Sequence, residues 1–270
     1  MLLRILLILL LTSSPAWATN FCNDGNNQGC WEFTEGSGET IADSSVNTSN
    51  TGTFLGSGEP AWAAMAGTNA PSYAQYLTDF DGSNDIITFG DLTILDSATA
   101  WTILLWVKLD TQGTSERMVA KWGSTSGTQD YVIGLDDSAS DEIITAHRTV
   151  TNSANVEIST NANLTTAIWY HIAWVGNSDV ANYLIYKNGA TLSTTTAADN
   201  VGAIRGSNQG VSFGADSVPS NYLDASMTEV AIFDRTLTIT EINDIMNFGL
   251  APSASTQTGI TFYGGNISFY

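Results

Sequence analysis

An all-β fold, an antiparallel β-sandwich carrying one short helix near its C-terminal end, is predicted by three features of this 270-residue chain. First, short runs of β-branched and aromatic residues recur along its length, separated by Gly, Ser, Thr and Asn, with only 5 Pro. Second, Trp169 to Gly189, WYHIAWVGNSDVANYLIYKNG, reads as strand, turn, strand. Alternation puts Trp169, His171, Ala173 and Val175 on one face and Tyr170, Ile172 and Trp174 on the other. Both faces are apolar, so the strand is covered on both sides. Asn188-Gly189 suits the positive φ angles of a type I′ turn, giving a long hairpin that is expected at the centre of the fold. Third, only one stretch is convincingly helical: Thr238 is an N-cap with Glu241 three residues on, Ile242, Ile245 and Met246 repeat at helical spacing, and Gly249 ends the run.

The N-terminal residues are expected to be a leader. Arg4 forms a basic start, Ile5 to Leu11 is apolar, and Ala16-Trp17-Ala18 is a small-x-small cleavage site, so residues 1–18 read as a signal peptide. The apolar run falls short of the roughly 20 residues that span a bilayer. The expected organisation is the leader, one domain over 19–250 and a β-rich tail over 251–270, in a protein that is secreted, periplasmic or at the cell surface. Without Arg4, 7 basic side chains face 27 acidic ones, a formal charge of -20. Such a surface repels nucleic acid and anionic lipid but is compatible with divalent cations. The two cysteines, Cys22 and Cys30, follow the cleavage site and are expected to form a disulfide in an exported chain.

In chain order, a short aromatic strand at Trp31 leads through a polar, Asn-rich connection to a strand near Thr53–Leu55. Tyr76 to Gly90 is strand, turn, strand around Asp81-Gly82. Trp101 to Leu109 alternates, with Trp101, Ile103, Leu105 and Val107 opposite Thr102, Leu104, Trp106 and Lys108. Met118 to Trp122 pairs with Tyr131 to Leu135; Ile143 to Ala146 and Val156 to Ser159 are weaker strands. After the hairpin come Val211 to Gly214, the loop Ala215 to Leu223, and Thr228 to Phe233. The tail repeats Ile260-Thr261-Phe262-Tyr263 as Ile267-Ser268-Phe269-Tyr270 about Gly264-Gly265-Asn266, reading as a small hairpin or edge strand, or as a tag that pairs with another subunit.

Several of these segments resemble the laminin G-like jelly rolls of the concanavalin A-like lectin/glucanase superfamily. They are Trp31-x-Phe33 with Glu35-Gly36-Ser37-Gly38 and Asp43-Ser44-Ser45; Phe80-Asp81-Gly82 with Asn84-Asp85; the strand ending Trp106-Val107-Lys108; Trp169-x-His171; and Val230-x-Ile232 with Arg235-x-Leu237. The acidic pair common in relatives is here Thr228-Glu229. The resemblance implies a calcium ion at the loop rim, with Asp130, Asp216 and Asn221 as ligands. A second oxygen-rich group, Asp43, Asp81 and Asp85, also reads as ordinary turn chemistry. Trp122, Tyr131 and Tyr222 adjoin polar loops and are the candidate surface for stacking a sugar, Trp122 reading equally well as core.

Catalytic patterns are absent. A retaining glycosidase needs two carboxyls about 5 to 5.5 Å apart, and the sequence has no Glu-x-Asp-x-x-Glu strand to supply them; Asp136-Asp137 and Asp141-Glu142 are adjacent and point to opposite faces, and Glu229 and Asp234 stand five apart. His171 is expected to be a buried, hydrogen-bonded structural residue, and His147 has no nucleophile nearby. The expectation is a non-catalytic, calcium-assisted domain that binds a glycan or glycosylated surface. The alternatives are an assembly module that self-associates through its tail, and a glycan hydrolase or lyase.

Overall fold

The computed structural model describes residues 19–251, apart from 48, 56–59, 137–141, 152–154, 161, 180–181, 199 and 201, together with 261–263 and 266–268. The expected leader, Asp137 and Asp141 lie outside the described residues. Two antiparallel sheets form a sandwich. The first runs in the order β14 (Ala190–Thr191), β13 (Leu184–Lys187), β12 (Trp169–Asn177), β7 (Ala100–Leu109), β17 (Asp224–Phe233), β5 (Tyr76–Asp81) and β4 (Ala61–Ala64), with β1 (Asn27–Trp31) also paired to β17. The second runs β15 (Thr194–Ala198), β11 (Asn155–Thr160), β10 (Ile143–Arg148), β9 (Gln129–Leu135), β8 (Glu116–Trp122), β16 (Ser212–Phe213), β6 (Ile86–Thr88), β3 (Gly52–Leu55) and β2 (Thr40–Ile41). The tail forms a separate hairpin, β18 (Thr261–Tyr263) with β19 (Asn266–Ser268), in which Phe262 opposes Ile267.

Alternation assigns faces as the sequence predicts. Trp101, Ile103, Leu105 and Val107 of β7 and Tyr170, Ile172 and Trp174 of β12 fill the space between the sheets. Their outward neighbours are covered too: Leu104, Ala173 and Val175 lie under the helix α1 (Ile239–Phe248), and Trp106 and Trp169 pack with Met65, Ala70 and Met246. Around β7 and β12 the first sheet is therefore covered on both faces, which is why β12 reads as apolar on both. The hairpin β12–β13, however, is not central. Only the two-residue β14 lies beyond β13, while β12 pairs with β7 from Trp169↔Lys108 to Asn177↔Ala100. The long strands β7 and β17 hold the middle, because each is buried over nearly all of its ten residues and finds partners along its length. Asn188 (φ 51°) and Gly189 (φ 75°) turn the hairpin as expected.

Strand β17 changes partner along one edge. Asp224–Met227 pairs with β5 and Val230–Phe233 with β1, and a bulge at Glu229, whose φ is 53°, separates the halves. The extra residue keeps Met227, Val230 and Ile232 in the interior despite their uneven spacing. The aromatic start of the chain differs from expectation: β1 ends at Trp31, and Phe33, at φ 55°, enters the core from the irregular segment that follows.

Thr238 and Glu241 cap α1 reciprocally, the Thr238 N–H donating to Glu241 Oε2 at 2.7 Å. The helix brings Leu250 back to the first described turn, where the Phe21 N–H donates to the Leu250 carbonyl at 2.8 Å. Cys22 and Cys30 form the expected disulfide, buried beneath the helix. Replacing both with Ser is expected to cost about 2–3 kcal/mol by freeing the short loop in the unfolded chain. The readout is a lower urea midpoint; an unchanged midpoint would show that the crosslink does not contribute. Among the described residues no helix is long and apolar enough to cross a membrane.

Candidate ligand-binding site beside the second sheet

The site grows from a fault in the pairing of β8 with β9. Lys121 opposes Tyr131 but Trp122 opposes Gln129, so Asp130 is an extra residue in its strand. The bulge turns the Asp130 carboxylate toward Lys121, with Oδ2 3.5 Å from Nζ and both side chains fully buried. Lys121 Nζ also donates to the Leu92 carbonyl at 2.9 Å and to Asp96 Oδ1 at 2.8 Å, and lies 3.1 Å from Asp91 Oδ1. Asp130 Oδ2 accepts from the Ser207 N–H at 2.9 Å and from its hydroxyl at 2.8 Å. Arg205 Nε stands 4.0 Å from Asp130 Oδ1, and the same guanidinium donates to the Ser126 carbonyl at 2.6 Å and to the Gly127 carbonyl. Burial pushes the Asp130 carboxyl above the usual range, against the pull of the Ser207 bonds and Lys121. Burial alone would lower the pKa of Lys121, but Asp96, Asp91 and Asp130 outweigh it and raise it. The ammonium therefore stays charged.

In front of this ion cluster is an open cleft of about 390 Å³ lined by Asp96, Ser97, Val150, Arg205 and Gly206. Its volume falls in the range of small-ligand sites. A carboxylate, a hydroxyl and a guanidinium supply acceptors and donors on its walls, while Val150, 53% exposed, supplies an apolar surface. A Cβ on Gly206 would come within 2.7 Å of the Asp96 carboxyl, so glycine there lets the strap close on the aspartate. The cleft adjoins the sheet's outer face. Arg205 N–H donates to the Arg148 carbonyl at 2.7 Å, and the Arg148 guanidinium carbon lies 5.9 Å from the centre of the Trp122 ring.

The predicted site residues divide between several places. Asp130 faces Lys121, whereas Asp216 faces Arg117, with Nε 3.1 Å from Oδ1. Asn221 and Ser220 donate to Asp216 Oδ2 at 2.6 and 3.1 Å, so the Asp216 loop is closed on itself. Among the described residues no three His, Cys, Asp or Glu side chains are grouped to hold a metal ion. Trp122 does meet that loop: its N–H donates to the Ser217 hydroxyl at 2.8 Å. Trp122 packs with Ala120, Val132 and Ala146, is only 9% exposed, and has the Arg148 guanidinium over its ring. Tyr222 is half-buried at the loop's end. Tyr131 is not at the rim. The bulge at Asp130 sends its ring inward, and it is fully buried in the main core.

The second acidic group serves turns. Asp81 Oδ1 accepts from the Ser83 and Asn84 N–H groups, Asp85 Oδ2 from the Asp81 N–H, and Asp43 from the Cys30, Ser45 and Asn50 N–H groups. His171 is buried as expected but not hydrogen-bonded; its ring sits against Trp106, 5.3 Å between centroids, and burial takes its pKa down to about 3. His147 lies inside the sandwich between the Tyr183 hydroxyl and the Gly202 carbonyl, with burial lowering its pKa to about 4. Both rings are neutral at physiological pH.

Reading by motif passed over Lys121, Asp91, Asp96 and Arg205, which are scattered through the sequence and meet only in the fold. One signal was available. In Met118-Val119-Ala120-Lys121-Trp122, the lysine shares parity with the inward Val119, and a buried lysine requires carboxylates around it.

Two stacked antiparallel sheets with a loop-lined cleft define a jelly-roll domain. The chain belongs to the concanavalin A-like lectin/glucanases superfamily: the laminin G model of that superfamily matches residues 81–243. No curated protein matches it by sequence. Among solved structures it is similar to domain 4 of AbnA, a GH43 extracellular arabinanase from Geobacillus stearothermophilus, in complex with arabinotriose, at TM-score 0.59 and 17% identity over 82% of this chain and 98% of that one. It is also similar to the binding domain of Paraclostridial Mosquitocidal Protein 1 (TM-score 0.56, 14% identity, 82% of this chain) and to the botulinum neurotoxin type G receptor binding domain (TM-score 0.54, 14% identity, 82% of this chain). The chain spans about half the length of these two, 52% and 51%. At such identities the likeness is one of fold.

Proposed function

We propose that the protein is an exported, non-catalytic carbohydrate-binding domain and that its sugar site is the cleft of Asp96, Ser97, Val150, Arg205 and Gly206. The observation that carries this reading is the combination of fixed polar groups and an exposed apolar wall in one cleft of about 390 Å³. A sugar ring presents hydroxyls at its rim and C–H groups on its face, and needs both kinds of partner. The similar AbnA domain was solved with arabinotriose, and the disulfide agrees with an oxidising compartment. The ligand is a neutral oligosaccharide. Asp91, Asp96 and Asp130 outnumber Lys121 and Arg205 at the cleft, and the whole chain carries a formal charge of -19, so uronic or sulfated sugars are repelled.

This reading needs no calcium. The carboxylates that the resemblance assigns to the metal, Asp130 and Asp216, already face the protein cations Lys121 and Arg117, and Asn221 donates its amide to Asp216.

Titration calorimetry against a panel of neutral and acidic oligosaccharides tests the proposal. Arg205→Ala and Val150→Asp are each expected to weaken binding of the best neutral ligand at least about tenfold, the loss expected from about 1.4 kcal/mol of contacts. Val150 is exposed, so its variant should keep the wild-type melting temperature. Wild-type affinity in Val150→Asp, or a preference for acidic sugars, sinks this site.

A further inference from the structure

The environment of Lys121 has the stoichiometry of an ion site. An ammonium carries three N–H donors, and three oxygens lie within hydrogen-bonding distance of Nζ: Leu92 O at 2.9 Å, Asp96 Oδ1 at 2.8 Å and Asp91 Oδ1 at 3.1 Å. Asp130 Oδ2, at 3.5 Å, stands behind them and contributes charge while bonding to Ser207. The Lys121 and Asp130 side chains are both 0% exposed, and Asp130 Oδ1 has no hydrogen-bond partner. The oxygens come from two separate pieces of chain, the 91–96 segment and Asp130 on β9, and Lys121 reaches both from β8. The ammonium meets all three carboxylates, and Arg205 Nε stands 4.0 Å from Asp130 Oδ1.

We infer that Lys121 is the resident cation of an oxygen cage, one that ties the 91–96 segment to the second sheet without a metal, and that the same cage accepts a divalent cation once the lysine is cut back. Distances support the first half. Calcium holds its oxygens at 2.3–2.6 Å, whereas these stand at 2.8–3.1 Å, the span of N–H···O bonds. Chemistry supports the second. Removing the ammonium leaves three carboxylates and a main-chain carbonyl around the position it held; Asp130 is fully buried there, Asp96 is 23% and Asp91 41% exposed, and a buried carboxylate without a counter-charge is strongly unfavourable. Calcium takes that donor set, carboxylates and backbone carbonyl alike. Asp130 Oδ1 is already desolvated and has no hydrogen bond to give up on joining it. The inference does not depend on which ligand the cleft binds.

The experiment follows the thermal midpoint of the full chain in millimolar calcium chloride and in excess chelator. The wild type should melt at the same temperature in both buffers. Lys121→Ala should melt lower than wild type in chelator and recover by about 5 °C or more in calcium, the shift expected when free ligand greatly exceeds its dissociation constant. Adding Asp130→Asn to Lys121→Ala should abolish the recovery. A calcium-dependent wild type overturns the first half. A flat response of Lys121→Ala overturns the second, and so does insolubility in both buffers or a response that survives Asp130→Asn. No sugar is involved, so failure here is distinguishable from failure of the glycan site.

Discussion

Glu229→Gln is expected to flatten a pH dependence that the wild-type protein shows between about pH 4.5 and pH 8, and to make the variant the more stable protein at the alkaline end. The carboxyl sits at the β17 bulge, 5% exposed, and accepts one hydrogen bond from the Leu250 N–H at 3.1 Å. Burial raises its pKa from 4.5 to about 8; the Leu250 bond opposes the rise and Glu32 adds to it. Tyr73 is the other titratable neighbour, its own pKa raised first by burial and then by Glu229. The native state therefore keeps a proton that the unfolded chain releases near 4.5, and stability falls as pH rises through the window. Its contribution is complete below about 4.5 and gone above about 8. At about 1.4 kcal/mol per pH unit, the loss amounts to a few kcal/mol. Gln accepts from Leu250 without ionising, so the difference in urea midpoint between variant and wild type should grow with pH while the other acids cancel. A constant difference across the window would mean that Glu229 is ionised in the native state.

The second large effect is expected next to that bulge, where Trp31 of β1 opposes Val230 of β17. Trp31→Ala should cost about 3–5 kcal/mol, the range for truncating a fully buried tryptophan. The ring is fully buried, lies edge-on to Phe213 at 5.1 Å and 4.8 Å from Phe89, and donates its indole N–H to the Asn50 carbonyl at 2.9 Å. Gly29 is fitted to it, since a Cβ there would fall 2.2 Å from the indole. These contacts reach from a strand of the first sheet to β16 and the residue after β6 in the second, so the truncation removes a tie between layers as well as apolar area. Trp31→Phe should recover part of the loss. A denaturation midpoint within about 1 kcal/mol of wild type would mean that β1 is held by its pairing with β17 and not by its side chain.

How much of this was legible in the sequence follows from what each signal measures. Period-2 alternation reports the two faces of a strand, and it assigned β7 and β12 correctly because both faces of their sheet are covered. The capping box and Gly249 fixed α1 because those groups act within one turn. Order within a sheet is a long-range property, so the hairpin at Trp169–Gly189 could be seen but not placed, and it lies toward an edge. The bulges at Asp130 and Glu229 broke the alternation where chemistry is concentrated. The first carried Tyr131 inward from the rim where it was expected. The second was written in the uneven spacing of Met227, Val230 and Ile232, a clue visible once the interior is known. The cleft was out of reach, because Asp96, Val150 and Arg205 share no motif and are neighbours only after folding.

The hydrogen bond from Phe21 to Leu250 makes entry to and exit from the sandwich a single place. A domain with that geometry can be set into a surface loop of another protein, or strung along a chain in copies, without reordering any of its strands. Its cleft would travel with it unchanged, since Asp96, Val150 and Arg205 all lie in segments far along the chain from that junction. The fold is in this sense portable.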